Sequence, residues 1–162
     1  MKRHGRLIIT VLALLIACAL LFAERAHWQI EDACRKIPME YDLTRAYLRE
    51  HHTTGTFYFA NTLPATIHAN CPGNRNDTTR AWNDIVKPVK LYGTRFTRRL
   101  HVNLNEDGTV RCSYTEKEGI TIPRQGDAPL EVELHNRIGE KRRFLISRDG
   151  SLQQGGGSRR AP

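Results

Sequence analysis

The sequence predicts an α+β protein, in which an N-terminal membrane-anchor helix and an amphipathic helical region precede a mostly antiparallel β-sheet. Three patterns support this prediction: an uncharged apolar run, then apolar residues with a helical period, then alternation with a period of two. The chain accordingly divides into a basic flank with the anchor (1–23), a juxtamembrane helical region (24–54), a β-rich exported domain (55–153) and a disordered tail (154–162).

The apolar run LIITVLALLIACALLFA, residues 7–23, determines the expected topology. As a helix it is roughly 25 Å long, close to the lower limit for crossing a bilayer. Lys2, Arg3 and Arg6 precede it, and basic flanks of this kind stay in the cytoplasm. We therefore expect a single pass through a bacterial inner membrane, with the N-terminus cytoplasmic and the body periplasmic.

Two alternative interpretations of the run predict a secreted protein or a lipoprotein. A cleavable signal has the same basic and apolar regions, but Leu21 stands where a cleavage site before Glu24 needs a small residue. The segment Leu15-Ile16-Ala17-Cys18 resembles the bacterial lipobox, which makes Cys18 a candidate for lipidation. Because the residues after Cys18 stay apolar, we favour a retained signal anchor.

The helical region before Gly55 places Ile30, Ala33 and Ile37 on one face. Pro38 has no backbone N–H, so it predicts a break or kink, or the first residue of a second helix.

After Gly55, short strands are expected at 56–59 and 65–69, and a polar loop at 70–79. Pro88 restricts any strand at 85–91 to a sheet edge or an irregular entry into the sheet.

The clearest hairpin is LHVNLNEDGTVRCSY, residues 100–114. We predict a three-residue loop that ends with Gly108 in the left-handed conformation. This loop pairs Leu104 with Val110, Val102 with Cys112 and Leu100 with Tyr114, all facing the core.

A second hairpin is expected on both sides of Gly139, again with this glycine in the left-handed conformation. It pairs Val132 with Phe144 and Leu130 with Ile146, and a last short strand is expected at Leu152.

Three cysteines lie outside the anchor, and an exported body predicts a disulfide among them. We favour Cys71–Cys112, because Cys71 lies in a loop that needs fastening and Cys112 lies on the predicted buried face. Cys34–Cys71 is the alternative.

No catalytic or phosphate-binding motif is present, so we expect no enzyme, metal or cofactor, with a dispersed active site as the alternative. Two basic clusters are candidates for binding anionic lipid or glycan: Arg95, Arg98, Arg99, and Lys141, Arg142, Arg143. The single aromatic residue among them, Phe96, argues against nucleic acid. The competing interpretation is a solvated, protected sheet face.

The layout of apolar helix, amphipathic extension and C-terminal antiparallel sheet with a disulfide resembles that of type IV pilins and pseudopilins. The ending RRFLISRDGSLQ is similar to the last strands of some pseudopilins. In those proteins an apolar residue follows the processing glycine and a glutamate lies five residues into the mature chain. Here Arg6 follows Gly5 and Thr10 takes the place of that glutamate. The resemblance implies a pilin-like subunit without the usual processing motif.

Taken together, these patterns predict a membrane-anchored envelope protein whose exported domain acts as a binding or assembly component. The expected partners are the membrane and another envelope protein.

Overall fold

The computed structural model describes residues 2–71 and 88–155, with side chains from Leu7 onward. It confirms the α+β class, with one long helix followed by antiparallel strands. The described elements are α1 (Lys2–Glu50), β1 (Gly55–Ala60), β2 (Ala65–Asn70), β3 (Val89–Leu91), β4 (Thr94–Phe96), β5 (Leu100–Leu104), β6 (Val110–Thr115), β7 (Gly119–Thr121), β8 (Leu130–Asn136), β9 (Lys141–Ile146) and β10 (Leu152–Gly155).

Helix α1 runs through Pro38 without ending there, so the expected break at this residue is wrong. Ile37 and Tyr41, on either side of the proline, are fully buried. Burial of each large side chain contributes about 2 kcal/mol, which offsets a proline cost of about 3 kcal/mol. Tertiary packing therefore overrides the local preference of the sequence.

The helix ends at Glu50, and His52 in the turn that follows takes a positive φ of 47°. The backbone N–H of Thr53 donates to the Leu48 carbonyl at 3.1 Å, which satisfies one of the last helical acceptors.

The strands form two antiparallel sheets around the C-terminal half of the helix, where the sequence predicted one sheet. The six-stranded sheet has the order β3-β2-β1-β5-β6-β7, and the four-stranded sheet has the order β10-β9-β8-β4. Strand β3 begins just after Pro88 and is an edge strand, as predicted. The helix contacts strands of both sheets, and a single buried cluster fills the space among these three layers.

The predicted register of the first hairpin is confirmed at the turn and is wrong beyond it. Gly108 has a φ of +78° and Leu104 pairs with Val110, as predicted. A β-bulge then shifts the register, so that Asn103 pairs with Cys112 and Val102 with Ser113. The extra residue is Arg111.

The bulge lies next to a contact with the turn between β9 and β10 of the other sheet. The Val110 N–H donates to the Arg148 carbonyl at 2.9 Å. As a result of the shift, Ser113 and Thr115 are buried, while Cys112 and Tyr114 face the opposite side.

The second hairpin matches the prediction in register, and Gly139 has a φ of +85°. Leu152 begins β10, which continues to Gly155, two residues past the expected end of the domain. Most of the predicted 70–79 loop, from residue 72, and the tail from residue 156 lie outside the described residues.

Two arginines at the end of α1 hold the turns of both sheets. Arg45 donates through Nε to the Gly108 carbonyl at 3.2 Å and through Nη2 to the Asp149 carbonyl at 2.9 Å. Arg49 Nε donates to the Asp107 carbonyl at 2.8 Å. We call these contacts the turn clamp. They join the helix to the hairpin ends of both sheets.

Candidate interaction surface

A row of five side chains crosses the six-stranded sheet on the face opposite the helix. It runs through His68, Tyr58, His101, Tyr114 and Ile120, each paired in register with the next across adjacent strands. We call this set the aromatic row. Its alternation with buried neighbours follows from the period of two along each strand.

The rings of the aromatic row contact one another in sequence. Tyr58 stacks on His68 with ring centroids 4.5 Å apart and an angle of 5° between the planes. His101 meets Tyr58 edge-on at 4.6 Å and lies 5.6 Å from Tyr114. These contacts restrict the rotamers of the side chains, so the row is ordered before any partner binds.

The row becomes more accessible toward edge strand β7. Tyr114 is 40% exposed and Ile120 is 72% exposed. Ile122, which follows the strand, is 69% exposed. An accessible apolar surface therefore adjoins the aromatic rings.

Both histidines of the row favour the neutral form. Burial lowers the pKa of His68, and a second contribution comes from His101. Burial and the Arg99 guanidinium lower the pKa of His101, against a smaller opposing effect of Glu116. The Nδ1 atom of His68 is buried and has no hydrogen-bond partner among the described residues. At neutral pH the aromatic row therefore carries no charge.

Cys112 lies beside this row, so its predicted burial in the core is wrong. Its Sγ accepts a hydrogen bond from Asn103 Nδ2 at 3.0 Å, and Thr56 Oγ1 donates to Asn103 Oδ1 at 2.5 Å. The bulge at Arg111 explains the reversal, since it turns every residue from Cys112 onward to the other face.

The favoured Cys71–Cys112 disulfide is not formed, because the two residues lie on opposite sides of the sheet. Cys71 is buried, with its Sγ packed against Gly55 at the start of β1 and close to Leu48 of α1. Cys112 is half-buried on the other face. Cys34 and Cys71 are also free thiols. Cys34 lies about 21 Å along the helix from Leu48, near which Cys71 is buried, so the alternative pair is separated too.

Cys18 is exposed on the apolar part of α1. This part is long and apolar enough to cross a membrane, and none of it is covered by the described body.

The six basic candidates do not form one patch. In the first cluster, two arginines form ion pairs: Arg98 with Glu118 at 2.8 Å and Arg99 with Glu116 at 3.0 Å. In the second cluster, all three residues do so: Lys141 with Glu133 at 2.9 Å, Arg143 with Glu131 at 3.3 Å and Arg142 with Glu31 at 2.5 Å. Arg95 is exposed and has no ion pair among the described residues. Carboxylates therefore neutralise five of the six candidates.

The aromatic row was not predicted from the sequence, since the predicted register placed Tyr114 in the core. The signal that was present is the alternation of Tyr58 with the buried pair Phe57 and Phe59. In the part of the chain that the structure describes, no group of three or more His, Cys, Asp or Glu residues is arranged to hold a metal ion.

The comparisons with protein family models, with curated proteins and with solved structures returned no match. What this chain does must be inferred from its own geometry.

Proposed function

We propose that this chain is a membrane-anchored binding or assembly component of a bacterial envelope. The apolar half of α1 anchors it in the inner membrane, and the aromatic row binds a partner protein on the periplasmic side. The observation that carries the proposal is the uncharged, pre-ordered and partly exposed row of Tyr58, His68, His101, Tyr114 and Ile120.

The outer faces of the two sheets differ in the free energy needed to remove their side chains from water when a partner binds. On the four-stranded sheet, Glu131 and Glu133 alternate with inward residues and pair with Lys141 and Arg143. Removing such ion pairs from water is unfavourable. The aromatic row has no formal charge to desolvate, and interface centres are poor in charged residues and rich in tyrosine. The six-stranded sheet is therefore the better candidate for a protein interface.

In this proposal, helix α1 holds the body close to the membrane. Its buried half packs on both sheets, and Asn136 Nδ2 donates to the Ala26 carbonyl at 3.0 Å. The body is thus held only three residues beyond the last apolar residue, Ala23. An anchored domain this close to its membrane segment stays near the bilayer, where its partners are concentrated in two dimensions.

Photocrosslinking in intact membranes tests this proposal. A photoreactive amino acid replaces Tyr114 in one variant and Lys141, on the opposite outer face, in a matched control. We expect one stoichiometric adduct with a membrane or periplasmic protein from position 114 and none from position 141. Equal labelling from both positions, or no adduct from position 114, would contradict the proposal.

A pilin- or pseudopilin-like subunit is the second candidate, and one observation favours it. Helix α1 continues past Pro38 and leaves Trp28, Met39 and Leu43 exposed on its outward side, by 60%, 61% and 53%. In this case a crosslinker at Met39 should join two copies of the chain, whereas a separate envelope partner should give adducts of different mass.

A further inference from the structure

Two loops of the body meet α1 immediately after its apolar run, and a third loop adjoins them. The loop between β3 and β4 approaches Gln29 at Gly93, and the β8–β9 turn reaches Ala26 through Asn136. Tyr92 and Arg137, from these two loops, line a cleft of about 300 Å³ together with Phe22 and Arg25 of the helix.

The third loop, between β1 and β2, adjoins the same region. Leu63 lines a second cleft, of about 420 Å³, with Tyr92, Arg95 and Arg137. The two clefts share Tyr92 and Arg137, so they form one continuous surface. We call it the collar and define it by the cleft-lining residues Arg25, Leu63, Tyr92, Arg95 and Arg137, together with Ile138, which follows Arg137 in the β8–β9 turn.

The helix places the collar at the level of lipid headgroups. The apolar run is about 25 Å long, and the hydrocarbon core of a bilayer is about 30 Å thick. A span that is too short draws its flanks toward the membrane. Phe22 still belongs to the run, and Ala26 lies about 4.5 Å beyond Ala23 along the helix axis. Loops that touch this part of α1 must then face the headgroup region.

The side chains of the collar fit that location. Leu63 is 84% exposed, Tyr92 is 58% exposed and Ile138 is 43% exposed, although each is a large apolar or aromatic residue. Aromatic residues are enriched at the boundary between membrane and water. Exposure that is unfavourable in water becomes favourable once these tips enter the interface.

The arginines of the collar are free to bind anions. Among the described residues, Arg25, Arg95 and Arg137 have no ion pair. The other four arginines of the two basic clusters, Arg98, Arg99, Arg142 and Arg143, all have one. Glu140, the carboxylate next to the β8–β9 turn, already accepts a hydrogen bond from Asn136 and contacts His27. Arg25 and Arg137 line one cleft and Arg95 and Arg137 line the other, so each cleft presents two guanidinium groups.

We propose that the collar binds the phosphate groups of anionic phospholipids and seats the body on the membrane surface. Pairs of guanidinium groups suit phosphate oxygens, and basic residues at the surface of an anionic membrane each strengthen attachment. This inference rests on the anchoring part of the proposed function. It requires neither the aromatic row nor a protein partner.

Hydrogen exchange of the full-length chain in lipid vesicles tests the collar. Three preparations are compared: phosphatidylcholine alone, phosphatidylcholine with phosphatidylglycerol, and phosphatidylcholine with inorganic phosphate in the buffer. We expect the amides of residues 61–63, 92–95 and 137–139 to exchange several-fold more slowly only when phosphatidylglycerol is present. The triple variant R25Q/R95Q/R137Q should lose this protection, since each basic residue contributes about a fivefold preference for the anionic surface.

A control variant, R98Q/R99Q/R143Q, removes the same charge from paired arginines and should keep the protection. If the triple variant fails to fold, the single variant R137Q, which changes both clefts, should still weaken the effect.

Equal exchange in all three preparations would overturn the proposal, and protection by inorganic phosphate alone would replace the lipid with a free anion. Flotation of the vesicles separates these outcomes from a failure of anchoring, in which the chain would not float with the lipid at all.

Discussion

Replacement of Gly150 by alanine tests the contact between the two sheets. Gly150 has a φ of +77°, and a Cβ at this position would lie 1.9 Å from the Gly108 carbonyl oxygen. That oxygen also accepts the hydrogen bond of Arg45 Nε, so it cannot move away without weakening the turn clamp. The left-handed backbone costs about 1–2 kcal/mol for alanine, and loss of a hydrogen bond to a charged group adds about 1.5–3 kcal/mol. We therefore expect G150A to lower the free energy of unfolding by about 2.5–5 kcal/mol.

Gly139 provides the matched control for this substitution. Its φ of +85° is similar, but nothing lies within 4 Å of the position that its Cβ would take. G139A should therefore cost only the backbone part, about 1–2 kcal/mol. Urea unfolding of the full chain in detergent micelles, followed by circular dichroism, measures both values. Equal destabilisation by G150A and G139A would refute the contact between the turns.

Three further predictions concern single side chains. In the folded chain, a polar maleimide should label half-exposed Cys112 but not Cys34, because burial raises the pKa of the Cys34 thiol to about 11. Peptide mapping measures the labelling of each cysteine, and equal labelling of the two would contradict the burial of Cys34. Because the pKa values of His68 and His101 are lowered in the folded state, stability should be full above about pH 6.5 and fall at lower pH. Urea titrations at several pH values measure how steeply stability depends on pH. This dependence should be weaker in the double variant H68Q/H101Q, and an unchanged dependence would refute the prediction. The buried Tyr41 hydroxyl has no hydrogen-bond partner among the described residues, so Y41F should stabilise the chain by about 1 kcal/mol, and a clear loss of stability would show a hidden partner.

The sequence predicted those elements whose geometry depends on nearby residues. The second hairpin is an example, because Gly139 sets the turn and the alternation from Leu130 fixes which face is buried. The first hairpin was predicted only as far as its local turn. The bulge beyond this turn lies beside a hydrogen bond between Val110 and Arg148 of the β9–β10 turn, two residues that are far apart in the chain. Nothing in the local pattern indicates that bond.

Long-range packing also explains the other differences. Pro38 disfavours a continuous helix locally, but buried neighbours on both sides keep α1 intact. Two sheets form where one was predicted: the short strand β4 pairs with β8, far along the chain, whereas the next strand, β5, pairs with β1.

The candidate interaction surfaces were harder to predict than the fold. The two basic clusters could be identified in the sequence, but the carboxylates that pair with them come from other segments. Glu118 pairs with Arg98, and Glu31 pairs with Arg142. The collar combines loops that are distant in sequence, so no local pattern predicts it. The aromatic row depended on a register that the bulge changed.

The central claim is that residues 7–23 remain attached and hold the body at a membrane, and intact-mass spectrometry of the chain from isolated membranes tests it most directly. We expect the unprocessed mass, near 18.5 kDa, in the membrane fraction after washing with alkaline carbonate. A lighter chain that lacks the residues up to Ala23 and appears in the soluble fraction would contradict the claim. A chain that begins at Cys18 and carries acyl groups would instead establish the lipoprotein alternative and exclude the helical anchor.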